Sequence, residues 1–145
     1  MLHYLAAHPS LVAGKRVVEV GSGTGVVGLG AARLGAASVL LTDMEAVVPL
    51  LSQNIALCGL GPGSGVTAAA LPWGQPLPPS LTAARGAATP PAGTVVLAAD
   101  VVYEPEAFGL LADTLRDLCS GQEHGAEVWL AYRPRHPGVW GACVW

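Results

Sequence analysis

The sequence has 145 residues, 52% of them hydrophobic and 12% charged, with a formal net charge of −3. That balance excludes a chain disordered throughout and argues against a nucleic-acid surface built on broad positive potential. No apolar run reaches the roughly 18 residues that a bilayer-spanning helix needs, so no membrane role is expected.

The length suits one domain with its own core. Cys58, Cys119 and Cys143 are too few and too scattered for a disulfide framework or a zinc pattern. The first residues carry no basic stretch followed by an apolar core, so no signal peptide is evident. A reducing setting, cytoplasmic or nuclear, is expected. His3, His8, His124 and His136 show no ligand spacing, and no metal site is expected.

Residues 1–14 predict a short helix, with Leu2, Leu5, Ala6 and Leu11 as its apolar positions, leading to Gly14. A first strand, Arg16–Gly21, follows from the β-branched Val17, Val18 and Val20. A helix over Gly25–Leu34 then stops at Gly35. Strand 2, Ser38–Thr42, ends in Asp43, and a helix over Glu45–Cys58 has Pro49 near its first turn. Strand 3 is read as Gly65–Ala70. Residues 75–93 are rich in Pro, Ala and Gly, lack any period, and read as a flexible insertion. Strand 4 is Thr94–Asp100. A helix starting near Pro105 carries Phe108, Leu111, Leu115 and Leu118 on one face and stops near Gly121. Strand 5 is Glu127–Tyr132, and the tail that follows has no clear period.

Strands alternating with helices predict an α/β fold, a Rossmann-like doubly wound, mostly parallel sheet. Ligands in such sheets sit beyond the C-terminal strand ends, at the switch in strand order. Polar or glycine residues fall at four of those ends: the turn Gly21-Ser22-Gly23-Thr24-Gly25 after strand 1, Asp43 after strand 2, Trp73 after strand 3, and Asp100 with Tyr103 after strand 4.

The glycine turn, followed by a helix start, fits two cofactor classes, dinucleotides and S-adenosyl-L-methionine. Gly23, Gly25 and Gly28 even satisfy the dinucleotide spacing. Asp43 would bind a ribose diol in either case. Glu19 tilts the choice. A carboxylate inside the apolar first strand would repel a pyrophosphate and attract the ammonium of an amino-acid tail; its plainer reading is a glutamate that is solvated or paired with the helix dipole. Likewise, Asp100 could be a charge at the start of the Pro105 helix, Tyr103 a packed aromatic, and Trp73 a core plug.

Glu19-Val20-Gly21-Ser22-Gly23-Thr24-Gly25 resembles the first motif of the seven-β-strand, class I S-adenosylmethionine methyltransferases. The helix sequence from Val26 to Ala36, Leu41-Thr42-Asp43-Met44-Glu45, Leu71-Pro72-Trp73-Gly74 and Asp100-Val101-Val102-Tyr103 make the chain similar to the family 16 protein-lysine methyltransferases. The resemblance implies S-adenosyl-L-methionine as cofactor and a protein lysine as substrate; with no Asn-Pro-Pro-Tyr type motif and no basic groove, no nucleic-acid partner is expected. It implies that Glu19, Gly21, Ser22, Gly23 and Gly25 surround the methionine part. Asp43 and Met44 would lie at the ribose and Trp73 by the adenine, while Asp100 and Tyr103 face the methyl group and the amine. An N-terminal β-hairpin and the sixth and seventh strands of the family pattern are not found in the 145 residues. A partial domain, truncated at both ends and with strand 5 as an exposed edge, is therefore expected. A non-catalytic cofactor-binding module and an NAD(P)-dependent oxidoreductase are the alternative functions.

Overall fold

In the computed structural model, described for residues 1–78, 81, 93–120 and 126–133, five strands form one sheet. These are β1 (Arg16–Val20), β2 (Ser38–Asp43), β3 (Val66–Ala70), β4 (Thr94–Ala99) and β5 (Ala126–Ala131). Their order is β3-β2-β1-β4-β5, and every pairing is parallel. The helices are α1 (Leu2–Ala7), α2 (Val26–Arg33), α3 (Val48–Leu57) and α4 (Phe108–Cys119).

The strand order places β1 at the centre, and the chain leaves it in both directions. Alternating residues of the inner strands then build two cores. Val17, Val39, Leu41, Val95 and Leu97 face one side, where they meet Leu5 of α1, Leu29 of α2, and Leu51 and Ile55 of α3. Val18, Val20, Leu40, Val96 and Ala98 face the other, where Leu111 and Leu118 of α4 cover them. A sheet buried on both faces needs near-continuous apolar strands, and β1 and β4 supply them.

Element ends differ from the sequence expectation by a residue or a turn. The expected helix over Glu45–Cys58 starts as a 3₁₀ turn, Glu45–Val47, and becomes α-helical only from Val48. The Pro105 helix likewise starts with a 3₁₀ turn, Pro105–Ala107. β4 stops at Ala99, because Asp100 takes a left-handed backbone with φ of 60°. Of the 75–93 segment, residues 79–80 and 82–92 lie outside the described residues, as does the tail from 134. Leu77 and Leu81 pack on the α4-side core, and the Leu81 carbonyl accepts a hydrogen bond from the buried Arg16 guanidinium at 3.1 Å. Among the described residues β5 pairs only with β4, and its Val128 and Leu130 are 40% and 38% exposed.

Close packing joins α2 to the sheet. A Cβ on Gly28 would lie 2.3 Å from Leu41 Cδ2 and 2.7 Å from Glu19 Oε2. Gly28 therefore lets the helix approach the strands, and it fits no larger residue. Gly28→Ala is expected to lower the unfolding free energy by roughly 1–3 kcal/mol, the usual cost of overpacking, as read from urea unfolding midpoints.

Candidate functional site

A cavity of about 710 Å³ opens at the C-terminal edge of the sheet, beside β1, where the strand order switches. Glu19, Gly21, Ser22, Gly23, Asp43, Met44, Trp73, Asp100 and Tyr103 all line it. A parallel sheet brings these distant stretches together because every strand ends on the same side.

The glycine turn divides its labour. At Gly21 a Cβ would meet Val101 Cγ1 at 2.7 Å and Trp73 Cζ2 at 3.4 Å, so this glycine makes room for neighbouring walls. Gly23, with φ of 55°, has nothing within 4 Å of a Cβ and presents bare backbone to open space. Gly25 is not among the lining residues. Its missing side chain faces Leu41 and Leu51, so the structure places it in the helix–sheet packing rather than at the cavity.

Hydrogen bonds pin the turn to β2. Ser22 N–H donates to the Thr42 carbonyl at 2.9 Å, and Thr42 N–H donates to Ser22 Oγ at 3.0 Å. The hydroxyls of Ser22 and Thr42 both donate to the Glu19 carbonyl, at 3.1 and 2.7 Å. Ser22 thus borders the cavity while its hydroxyl serves the turn itself. Asp43 Oδ2 accepts the Gly23 N–H at 2.7 Å, and Oδ1 accepts the Met44 N–H at the same distance. Each oxygen retains a lone pair for a further donor.

Glu19 is only 2% exposed. In the sheet it pairs with Leu41 on one side and Leu97 on the other, both fully buried. Its Oε2 accepts the Gly28 N–H at 2.9 Å, one of the donors that the start of α2 leaves unpaired. The helix-paired reading of this glutamate therefore holds, yet the residue also borders the cavity. Burial raises its pKa from 4.5 to about 7, opposed by the Gly28 N–H and by Ser22 and reinforced by the charge of Asp43.

On the far wall, Asp100 N–H donates to the Ala131 carbonyl at 2.7 Å, which anchors a left-handed backbone that non-glycine residues seldom adopt. Tyr103 is 55% exposed at the mouth. Leu71, Pro72, Val101, Glu104 and Leu110 also line the cavity, and the sequence reading gives them no role. Leu71 and Pro72 stood in the quoted Trp-Gly stretch and Glu104 beside Tyr103, so proximity was the available signal. Leu110 had none, since it lies off the apolar face formed by Phe108, Leu111, Leu115 and Leu118. Among the described residues that line the cavity there are four carboxylates, Glu19, Asp43, Asp100 and Glu104, and no basic side chain. No group of three or more metal-ligating side chains comes together among the described residues, and no helix there is long and apolar enough to cross a membrane.

Sheet order, glycine turn and cavity position together define the Rossmann-like fold of class I methyltransferases. The ribosomal protein L11 methylase of Lactobacillus delbrueckii subsp. bulgaricus superposes with a TM-score of 0.57 at 23% identity, over 89% of this chain and 56% of that one. The lysine methyltransferase family model matches residues 2–138, and the chain belongs to that family. The protein-lysine N-methyltransferase EFM6 of Saccharomyces cerevisiae is 42% identical over 110 residues, which cover 72% of this chain and 44% of the yeast protein. The histone-arginine methyltransferase METTL23 of Xenopus laevis is 33% identical over 135 residues, covering 93% of this chain and 54% of that protein. The chain thus spans about half the length of these relatives.

Glu19 gives the fold a pH dependence with a defined sign. Below about pH 4.5 the carboxyl is protonated in both folded and unfolded chains. As pH rises from there, the unfolded chain ionises first, so this residue's contribution to stability falls until about pH 7 and is constant above it. The unfolding free energy of the wild type relative to Glu19→Gln is expected to drop by up to about 3 kcal/mol across that window. Urea unfolding of both proteins at pH 4.5 and 7.5 measures the difference.

Proposed function

We propose that the cavity binds S-adenosyl-L-methionine and that the protein transfers its methyl group to a lysine side chain of a protein substrate. The observation that carries this reading is the charge of the walls: four carboxylates, no basic side chain among the described lining residues, and bare backbone at Gly23. A dinucleotide would bring a doubly charged pyrophosphate to this turn and meet repulsion. S-adenosyl-L-methionine brings a sulfonium and an ammonium against one carboxylate, a net positive charge that suits the walls. The residues present therefore fit this cofactor and disfavour the dinucleotide.

In this reading Glu19, Gly21, Ser22 and Gly23 surround the methionine part. Gly25 supports them from behind by seating α2. Asp43 accepts hydrogen bonds from the ribose hydroxyls through its remaining lone pairs, with Met44 alongside. Trp73 gives the base an aromatic wall. Bound there, the cofactor would supply an activated methyl on a sulfonium, ready for a neutral amine and leaving a thioether behind. Asp100 and Tyr103 hold the incoming amine and aim it, and the proton leaves to water. The protein's contribution is positioning and exclusion of water, which suits a wall of fixed backbone and aromatic side chains. Family membership supports the amine as acceptor, and the relatives' names support lysine ahead of arginine.

Titration with S-adenosylhomocysteine and with NAD tests the cofactor. Saturable binding of the first is expected, and NAD binding without any response to S-adenosylhomocysteine would overturn the reading. Asp43→Ala should weaken S-adenosylhomocysteine binding about 10- to 100-fold, the range for losing charge-assisted hydrogen bonds. Asp100→Ala should cut methyl transfer to lysate proteins far more than it lowers the melting temperature. Residue analysis of the labelled products separates methyl-lysine from methyl-arginine.

A further inference from the structure

The Trp73 wall is held in place from outside the motifs that define the cavity. Thr114 lies in the middle of α4, 40 residues away in sequence, and is 1% exposed. Its hydroxyl donates to the Leu110 carbonyl at 2.9 Å and accepts the Gly74 N–H at 2.8 Å. A threonine in a helix commonly bonds back to the carbonyl four residues earlier. Here the second bond leaves the helix and reaches the loop after β3.

Packing reinforces that bond. Gly74 has φ of 74°, and a Cβ there would lie 2.6 Å from Leu110 Cδ2. The loop is therefore pressed on α4 at the residue that Thr114 grips. Trp73 is the preceding residue, and its Cζ2 lies 3.4 Å from the position of a Cβ on Gly21. Leu110 itself lines the cavity. A continuous path of contacts thus runs from α4 through Gly74 and Trp73 to the glycine turn.

We propose that Thr114 is a positioning residue: by holding the Gly74 N–H it fixes Trp73 as the flat wall against which a planar heterocycle, a purine base, is bound. The proposal rests on the reading of the cavity as an adenosyl site. Thr114 does not touch the ligand and acts only through Trp73. Replacing its hydroxyl by a methyl keeps the volume, removes the acceptor that the Gly74 N–H has on α4, and frees the loop to shift.

Thr114→Val, Thr114→Ser and Gly74→Ala test this in the full chain. The emission of Trp73 is obtained as the difference between each protein and its Trp73→Phe counterpart. In Thr114→Val the Trp73 emission is expected to move to longer wavelength, and the Kd for S-adenosylhomocysteine to rise up to roughly tenfold, as the loss of one hydrogen bond implies. Thr114→Ser, which keeps the hydroxyl, should restore both. Gly74→Ala pushes the loop from α4 without altering Thr114 and should reproduce both changes, which covers the case in which Thr114→Val does not fold. Unchanged emission and affinity in the folded variants, or a Thr114→Ser protein as impaired as Thr114→Val, would overturn the proposal. A wild type that ignores S-adenosylhomocysteine while the Trp73 emission still follows Thr114 would sink the adenosyl reading and leave the positioning role standing.

Discussion

The bond between the Glu19 carboxylate and the Gly28 N–H holds together the two elements on which the site depends. A glutamate flanked in its sheet by Leu41 and Leu97 has lost most of its hydration. It stays in place because α2 offers an unpaired N–H at the right distance. That in turn requires a helix residue with no side chain, and Gly28 is such a residue. The glycine that makes the sequence scan as a dinucleotide fingerprint thus serves here to admit a carboxylate, the one group a pyrophosphate would avoid. Pattern and physical purpose point in opposite directions at this position.

From that joint the rest of the site follows by topology. β1 is central, β2 and β4 flank it, and all three end at the same edge. The Ser22–Thr42–Glu19 hydrogen bonds lock the turn to β2, and Asp43 closes over it through Gly23. Carboxylates gather where the strands end, and the fold tolerates their mutual repulsion because Glu19 is shielded and Asp43, with a backbone N–H on each oxygen, is compensated.

Much of this was readable from residue order. Five strands and the helices between them follow from β-branched runs broken by glycine, and a parallel sheet then dictates that Asp43, Trp73 and Asp100 meet the glycine turn at one edge. What the order of residues hides is contact across elements. Gly25 looks like a cavity residue by spacing, yet its open side faces Leu41 and Leu51. Thr114 and Leu110 look like ordinary helix positions, because nothing local records that a loop 40 residues earlier rests on them. Asp100 reads as the last residue of a strand, whereas its backbone turns left-handed as its N–H bonds to Ala131. Periodicity reports which face is buried; it does not report against what.

That last bond has a mechanical consequence. The backbone at Asp100 is tied through its N–H to β5, the strand at the sheet's open margin among the described residues. A register change along β5 would therefore reach the mouth of the cavity both through this bond and through the β4–β5 ladder. A displacement of β5 would act first on the Asp100 side, while the glycine turn is held by its own bonds to β2. The two sides of the cavity have different anchorages, joined where Val101 fills the space that Gly21 leaves open.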